Sequence, residues 1–392
     1  MQKNIVALGR LLVAFEVELS KSERELVDAA QKFTAEHVTP NARNWERDRI
    51  YPRDVQMEAA GRGLGGVLVP QADGGQGASF SAACRVFEEL AYGCMAFTFS
   101  MVVHNNFALS LASNGSDALK RKFLPDLIAC RRIGAFLLTE PGMGSDAQAV
   151  ACMARPDGDG WVLDGEKAWI SSASHAGVLS IYAQTDPAKG WRGIMCFMIE
   201  AERAGVHRVG PYAMAGGHAL GTGGFRFEGV RLTQDDVLIP QEAAFKAAMG
   251  GIDSARFFVA AMCTGMLRAA LARSLEYVAQ RPAFGKTVGD FQGIQWMLAD
   301  VATDLEATRL LTYSAAARWD AGLNAGMEAA HAKKFATRAA LTRLADCMQV
   351  MGANGFMVEE VAARHFACAK MAQYMDGTTE IQNVVIARGL QR

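Results

Sequence analysis

The residue with the clearest chemical use lies in the stretch 370–388. There Asp376 directly precedes Gly377, and two threonines and an apolar run follow. One interpretation is a helix start, because Asp, Gly and Thr are favoured near N-caps and Thr379 with Gln382 fits the spacing of a capping box. The other interpretation is a general base, because a carboxylate held on a turn can accept a proton. This stretch alone leaves both open.

Composition limits the classes of protein that the chain can belong to. The chain has 392 residues, of which 51% are hydrophobic and 21% charged, and its formal net charge is -1. This length predicts two or three domains, and this charge predicts no general attraction to nucleic acid or to an anionic membrane. The eight cysteines are scattered without a Cys-x-x-Cys pair, which indicates reduced, intracellular thiols.

The N-terminus is apolar from Ile5 to Leu19, but Arg10, Glu16 and Glu18 interrupt it. No small-residue cleavage site follows, so the segment is a poor signal peptide and is too short to span a bilayer. We interpret 1–19 as an extension or as an ambiguity of the start site, followed by a helix from about Ser20. No other stretch approaches the length of a membrane span, so we expect a cytoplasmic protein without a membrane partner.

Hydrophobic periodicity divides the rest of the chain into three parts. Apolar residues recur with a helical period over 20–133. From 134 to 240, short apolar runs are separated by turn signals such as Asp164-Gly165, which predicts an antiparallel sheet. The helical period returns over 241–392 in long runs typical of a bundle. We therefore predict an α+β fold with an N-terminal helical domain, a middle antiparallel β domain and a C-terminal helical bundle.

Several familiar site motifs fail when their context is considered. The segments 61–66 and 142–147 imitate a dinucleotide fingerprint, but neither lies in a strand-turn-helix unit of a parallel sheet. The histidines are dispersed, and His365 with Cys368 is more typical of packing than of a metal site. No Gly-x-Ser-x-Gly nucleophile elbow occurs. We predict no metal site.

Two segments suit the binding of phosphate or flavin oxygens. The loop 139–146 offers backbone N–H groups and two hydroxyls among glycines. Arg281 precedes a proline and the Phe284-Gly285 turn, where a guanidinium could bind phosphate in a bidentate manner. The alternatives are an ordinary loop and a surface arginine at a helix end. Trp169 likewise is either a ligand platform or a core aromatic of the sheet.

Taken together and in order, five segments resemble the acyl-CoA dehydrogenase family of flavoproteins. They are Leu138–Asp146, Lys167–Ser171, Arg281–Gln292, Gln349–Phe356 and the stretch 370–388. The resemblance covers about 20–392 and is most specific in the C-terminal half. It implies the three-domain α, β, α fold, a bound FAD and a homotetramer or homodimer.

The resemblance also implies roles for individual residues. Trp169 would pack on the isoalloxazine, Ser171 would hydrogen-bond near flavin N5, and Ser145 would contact the pyrophosphate. Other implied contacts to the cofactor are Leu138, Thr139, Gly144 and Ile170, with Thr378 and Glu380 at the adenylate end. The residues implied to reach the FAD of a neighbouring subunit are Arg281, Phe284, Gln292, Gln349 and Gly352. The residues implied to meet the substrate are Asp253, Arg256, Met375 and Gly377.

The sequence departs from the family pattern at the base. Family members carry Glu before the Gly-Thr turn or, in some cases, Glu just before the position of Arg256; here these residues are Asp376 and Ala255. Asp is shorter than Glu by one C–C bond, about 1.5 Å, so the substrate α-carbon would lie closer to the turn. Met375 replaces a frequent aromatic residue, which would make room for a bulkier or cyclic acyl group.

A second departure is the Gly-rich loop 212–225, which contains His218 in place of the usual pattern. This loop leaves open whether the acyl group is carried by coenzyme A or by a carrier protein.

By resemblance, we expect dehydrogenation of an acyl thioester. Asp376 would remove the α-proton, a β-hydride would pass to flavin N5, and the Asp376 backbone N–H would polarise the thioester oxygen. An electron-transfer flavoprotein would accept the electrons. The alternatives are a flavin oxidase or monooxygenase, a nitroalkane-type oxidase and a non-catalytic binding protein. The sequence leaves the acyl chain open.

Overall fold

The computed structural model describes residues 17–391, so most of the predicted extension 1–19 lies outside the described residues. The first described helix, α1 (Lys21–Phe33), begins after Ser20. The Glu23 N–H donates to Ser20 Oγ at 3.3 Å, and the Ser20 N–H donates to the Glu23 carboxylate at 2.8 Å. This reciprocal capping box satisfies two N–H groups at the helix start.

The N-terminal part of the described chain is helical. The helix α5 (Met95–Asn114) is buried around most of its circumference, so it forms the centre of this region. The helices that follow α1 are α2 (Ala42–Arg47), α3 (Arg53–Ala60), α4 (Phe80–Gly93), α5 (Met95–Asn114) and α6 (Asp117–Ile128), with a π-helical turn at Thr34–Val38.

The middle part forms one sheet. Its strands are β1 (Ile133–Leu137), β2 (Met153–Asp157), β3 (Gly160–Ile170), β4 (Ala176–Gln184), β5 (Ile194–Glu200), β6 (Val206–Val209), β7 (Gly223–Leu232) and β8 (Val237–Ile239). Their order in the sheet is β6-β7-β3-β2-β4-β5-β8, and β1 pairs with β4.

The sheet is mixed, whereas the sequence predicted an antiparallel one. β1 and β4 are parallel, and β2 meets β4 in parallel at one residue pair. The other pairs are antiparallel, including the hairpin of β2 and β3. The connection from β1 to β4 contains this hairpin and is therefore long enough for a parallel crossover. Turn signals mark where strands end, but they do not show which strands become neighbours.

The C-terminal part is a helical bundle around one long helix. Its helices are α7 (Ala244–Gln280), α8 (Gln292–Asp320), α9 (Gly326–Val350), α10 (Val361–Ala372) and α11 (Thr379–Leu390), and a short hairpin of β9 (Pro282–Ala283) and β10 (Lys286–Thr287) follows α7. Within residues 17–391, α7 is the one helix long and apolar enough to cross a membrane. However, 89% of its most apolar window is buried inside the protein. It packs against α4, α8 and α9 as a core helix.

Candidate active site

Asp376 lies on a strained turn between α10 and α11. Asp376 has φ +50° and Gly377 has φ +89°, so two consecutive residues are left-handed. This conformation costs a non-glycine residue about 1–2 kcal/mol, so the surroundings must hold it. Asp376 is half-buried as a whole residue, but its Oδ2 atom is buried and has no hydrogen-bond partner within residues 17–391.

This environment changes the acidity of Asp376. Burial raises the pKa of its carboxyl group to about 6, against the lowering effect of the positive charges of Lys333 and Arg256. A carboxyl group with such a pKa is ionised near neutral pH and is still basic enough to accept a proton. The turn therefore carries a carboxyl group whose pKa suits a general base.

The helix cap at this turn differs from the predicted one. Thr378, not Thr379, is the N-cap of α11, and its Oγ1 accepts from the Ile381 N–H at 3.4 Å. Gln382 is fully buried, and its amide nitrogen contacts three carbonyls of the turn. It donates to Gly377 O at 2.8 Å and to the Asp376 and Thr378 carbonyls at 3.3 Å each. The predicted capping box of Thr379 and Gln382 was therefore wrong, because Gln382 supports the turn instead.

Arg256 connects the turn to α7. Its Nε donates to the Asp376 carbonyl at 3.3 Å, and its Nη1 lies 2.5 Å from Asp253 Oδ1. The Arg256 side chain is buried, whereas that of Asp253 is partly exposed. Burial raises the pKa of Asp253, and the positive charge of Arg256 opposes that rise. Ala255 is buried beside them and offers no second carboxylate.

Lys333, on α9, was missed in the sequence analysis. Its side chain is fully buried, and its Nζ donates to Gly377 O at 2.6 Å. Burial lowers the pKa of Lys333 to about 8, although the negative charge of Asp376 acts to raise it. One sequence signal could have indicated that Lys333 is buried. It lies on the apolar stripe of an Ala-rich helix, four residues after the buried Ala329.

The loop that follows β1 is tied to β3 by a buried ion pair. Lys167 Nζ donates to Glu140 Oε1 at 2.8 Å and to Leu138 O at 2.9 Å. The Glu140 carboxylate also accepts from the N–H groups of Ala151 and Cys152. Both charged side chains are buried. Neither residue was assigned a role from the sequence, although a lysine in a buried strand was a signal that it needed a partner.

This arrangement brings several predicted cofactor residues together. The Ala168 N–H donates to Thr139 O at 3.0 Å, so Leu138 and Thr139 lie beside Trp169 and the buried Ile170. The remaining predicted residues here are the exposed Gly144 and Ser145 and the half-buried Ser171.

Trp169 has an unusual position for a residue in a strand. Its neighbours Ala168 and Ile170 are buried, whereas Trp169 is 62% exposed and has φ +60°. Its ring packs edge-to-face on Tyr212, with 5.1 Å between the centroids. The alternative of a core aromatic was therefore wrong. A large exposed ring on a strained backbone suits a flat ligand that covers it.

The atypical loop 212–225 is held by the N-terminal and C-terminal helices. The carboxylate of Glu46, on α2, accepts from the N–H groups of Gly217 and His218 and lies 3.1 Å from His218 Nδ1. A Cβ on Gly217 would lie 2.9 Å from the side chain of Met371, on α10. These contacts explain the glycine and the histidine as packing features of this chain.

A further group of predicted residues does not join the Asp376 turn. Phe284 is 96% exposed at the tip of the β9–β10 hairpin. Arg281 directly follows α7 and lies about 25 residues beyond Arg256, which corresponds to about 37 Å along the helix. An arginine side chain cannot cover that distance. The other exposed members of this group are Gln292 at the start of α8, Gln349 near the end of α9, and Gly352.

The structure places the remaining predicted residues near the turn. Met375 is half-buried against the helical core, Thr378 caps α11, and Glu380 is exposed in its first turn. Their contacts with substrate or cofactor stay predictions. Within residues 17–391, no group of three His, Cys, Asp or Glu side chains is placed to hold a metal ion.

Comparison with known proteins gives a consistent result over nearly the whole chain. Three family profiles match in order: acyl-CoA dehydrogenase N-terminal domain at 20–131, middle domain at 135–230 and C-terminal domain at 245–391. Glutaryl-CoA dehydrogenase of Desulfococcus multivorans is 33% identical over 378 residues, which are 95% of this chain and 97% of that protein.

Solved structures agree with these matches. The structure of butyryl-CoA dehydrogenase from Megasphaera elsdenii superposes with a TM-score of 0.92 at 30% identity, over 96% of this chain and 100% of that one. A structure of PigA with FAD and proline gives a TM-score of 0.90 at 27% identity, over 96% and 99% of the two chains.

The chain belongs to the acyl-CoA dehydrogenase family. It has the fold of that family, with an N-terminal helical domain, a middle β domain and a C-terminal helical domain. Members of the family are flavin-dependent oxidoreductases.

Proposed function

We propose that this protein binds FAD and introduces a double bond between the α- and β-carbons of an acyl thioester, with Asp376 as the general base. The observation that carries the proposal is the buried, unpartnered Oδ2 of Asp376 on a left-handed turn, within the part of the chain that the structure describes. Buried carboxylates with a raised pKa are typical of catalytic sites.

The residues around Trp169 fit a bound flavin. The Trp169 ring is exposed beside the loop that carries Thr139 and Ser145, so an aromatic surface and hydroxyl groups are available together. The buried Lys167–Glu140 pair keeps this loop beside β3. When bound, FAD supplies the acceptor for the β-hydride.

The chain's own groups can handle the proton and the developing charge. Asp376 accepts the α-proton of the thioester. Negative charge then develops on the thioester oxygen, and the backbone N–H of Asp376 donates no hydrogen bond within residues 17–391, so it is available to that oxygen. Arg256, Gln382 and Lys333 hold the backbone carbonyls of the turn, so the carboxylate and the N–H keep their relative positions.

The distance between Arg281 and the Asp376 turn supports a homotetramer or homodimer. Because Arg281 lies about 37 Å along α7 from Arg256, we propose that Arg281 and Phe284 contact the cofactor of a neighbouring subunit. The exposed Phe284 ring at a hairpin tip is consistent with such a contact. We propose an electron-transfer flavoprotein as the electron acceptor.

The proposal is tested by anaerobic titration of the purified holoprotein. Its absorption spectrum should show bound flavin, and acyl-CoA thioesters should bleach it, with the acyl chain chosen from a panel of straight, branched, cyclic and aromatic groups. Bleaching only by acyl groups on a carrier protein would identify a carrier-protein substrate. Bleaching by nitroalkanes and by no thioester would contradict the proposal, as would a protein purified without flavin that does not take up added FAD.

A further inference from the structure

We propose that Lys333 is a positioning residue for α-proton abstraction: it holds the Asp376–Gly377 turn through the Gly377 carbonyl and keeps a positive charge beside the Asp376 carboxyl group. This inference rests on the function proposed above. It assigns a buried lysine of α9 a role in the candidate active site at the turn between α10 and α11.

The geometry shows that Lys333 is directed at the turn. Its Nζ lies 2.6 Å from Gly377 O, and its side chain has no exposed surface. A buried ammonium is costly, so a chain that keeps one gains something that an apolar side chain of the same length does not provide. The contact at Gly377 O lies immediately after the residue proposed as the base.

Lys333 is one of three donors that hold the same short backbone segment. Gln382 donates from α11 to Gly377 O at 2.8 Å, and Arg256 donates from α7 to Asp376 O at 3.3 Å. Three helices thus hold two left-handed residues. Loss of the single Lys333 contact should loosen the turn without releasing it, because the other two donors remain.

The charges that face Lys333 come from each side of this site. Burial is the largest influence on the pKa of Lys333 and lowers it, and the positive charge of Arg256 lowers it further, whereas the negative charges of Asp376 and of Glu380 on α11 raise it. In turn, Lys333 is the largest influence that opposes the raised pKa of Asp376. Below about pH 8 the lysine is charged. It then favours ionisation of the base over the pH range in which Asp376 titrates.

The experiment compares three substitutions of Lys333 in the holoprotein. Lys333→Arg keeps both charge and donor, Lys333→Gln keeps a donor without charge, and Lys333→Met removes both at nearly constant length. Lys333→Met should fold, since it removes a buried charge whose desolvation is costly. Lys334→Met, the neighbouring half-buried lysine on the same helix, is the matched control. The measurement is the pH dependence of anaerobic flavin reduction by a thioester, together with FAD content.

Without the positive charge, Asp376 should ionise at higher pH. For Lys333→Gln and Lys333→Met we expect the acid limb of the rate profile to move up by roughly 1 pH unit, the lower end of the effect of a nearby opposite charge. Lys333→Met should in addition lose plateau rate at high pH, because the Gly377 carbonyl loses its donor. Lys333→Arg and Lys334→Met should keep the acid limb of the parent, and all four should retain FAD.

A merely structural role would lower stability or FAD content without moving the acid limb, and that result would overturn the inference. If the parent protein is not reduced by any thioester, the proposed function fails, and the inference is then tested on the resting protein. Infrared difference spectra taken across pH, with Asp376→Asn to identify the carboxyl band, report the ionisation of Asp376 directly. An unchanged midpoint in Lys333→Met would contradict the inference there as well.

Discussion

The acid limb of flavin reduction should lie near pH 6, because it follows the ionisation of Asp376. Burial raises the pKa of this carboxyl group to about 6. A general base acts when it is ionised, so the rate should rise as pH increases through this value and fall as pH decreases. The pKa of Asp376 is shifted upward because burial favours the neutral form of a carboxyl group.

The magnitude follows from the fraction of Asp376 that is ionised. With a pKa of about 6, the ionised fraction is about 0.9 at pH 7 and about 0.1 at pH 5, so the rate should fall about tenfold between them. An aspartate with the ordinary pKa near 4 would stay about nine-tenths ionised at pH 5 and would lose only about a tenth of its rate. These two expectations are easily separated.

The assay is stopped-flow bleaching of the bound flavin under anaerobic conditions, at substrate concentrations below saturation so that the free enzyme's groups are reported. Asp376→Ala should keep FAD and bleach at least ~10²-fold more slowly, without the acid limb. Asp376→Glu should keep the limb, and a faster rate would indicate a straight-chain substrate. A rate that is level from pH 7 to pH 5 in the parent would refute the argument that burial tunes this carboxylate.

Three further variants test other parts of the site. Lys167→Met should lower stability by about 3 kcal/mol or more and reduce FAD content, because it leaves a carboxylate buried without its cation; melting temperature and flavin absorbance check this. In Gly377→Ala the proportional loss of flavin-reduction rate should exceed the proportional fall in melting temperature, because the added Cβ would lie 3.0 Å from Gln382 Nε2, which supports the turn. Gly229→Ala, also left-handed but with nothing within 4 Å, is its control and should keep the parent rate. The variants Arg281→Ala and Asp376→Ala should each reduce their flavin slowly. If Arg281 contacts the cofactor of a neighbouring subunit, subunits of the two variants that are dissociated, mixed and reassembled should regain rate. Mixtures that stay as slow as the two single variants would contradict that arrangement.

Much of the fold follows from periodicity in the sequence. The helical periods and the turn signals predicted helices on either side of a sheet, and the helix expected after residue 19 begins at Lys21. The direction of β1 could not be predicted in the same way. It depends on a pairing with β4 that is long-range in sequence, and a short apolar run is equally suited to a parallel or an antiparallel neighbour.

The candidate site was predictable only where a residue's type shows its use. Asp376 and Trp169 were selected as candidates because a carboxylate on a Gly turn and an aromatic residue in a flavoprotein-like segment have recognisable uses. Lys333 and Glu140 were missed because their partners are distant in sequence. Gln382 was assigned to a helix cap because the local spacing fits one. In the structure its side-chain amide instead donates to the Gly377 carbonyl of the left-handed turn.

The proposed α,β-dehydrogenation is tested most directly by a single anaerobic turnover of the holoprotein with its best acyl thioester, followed by mass analysis of the product. We expect the flavin to bleach while the acyl group loses two hydrogens. We also expect Asp376→Ala, with FAD bound, to form this product at least ~10²-fold more slowly. A flavin that no thioester reduces, or an Asp376→Ala variant that turns over at the parent rate, would contradict this proposal.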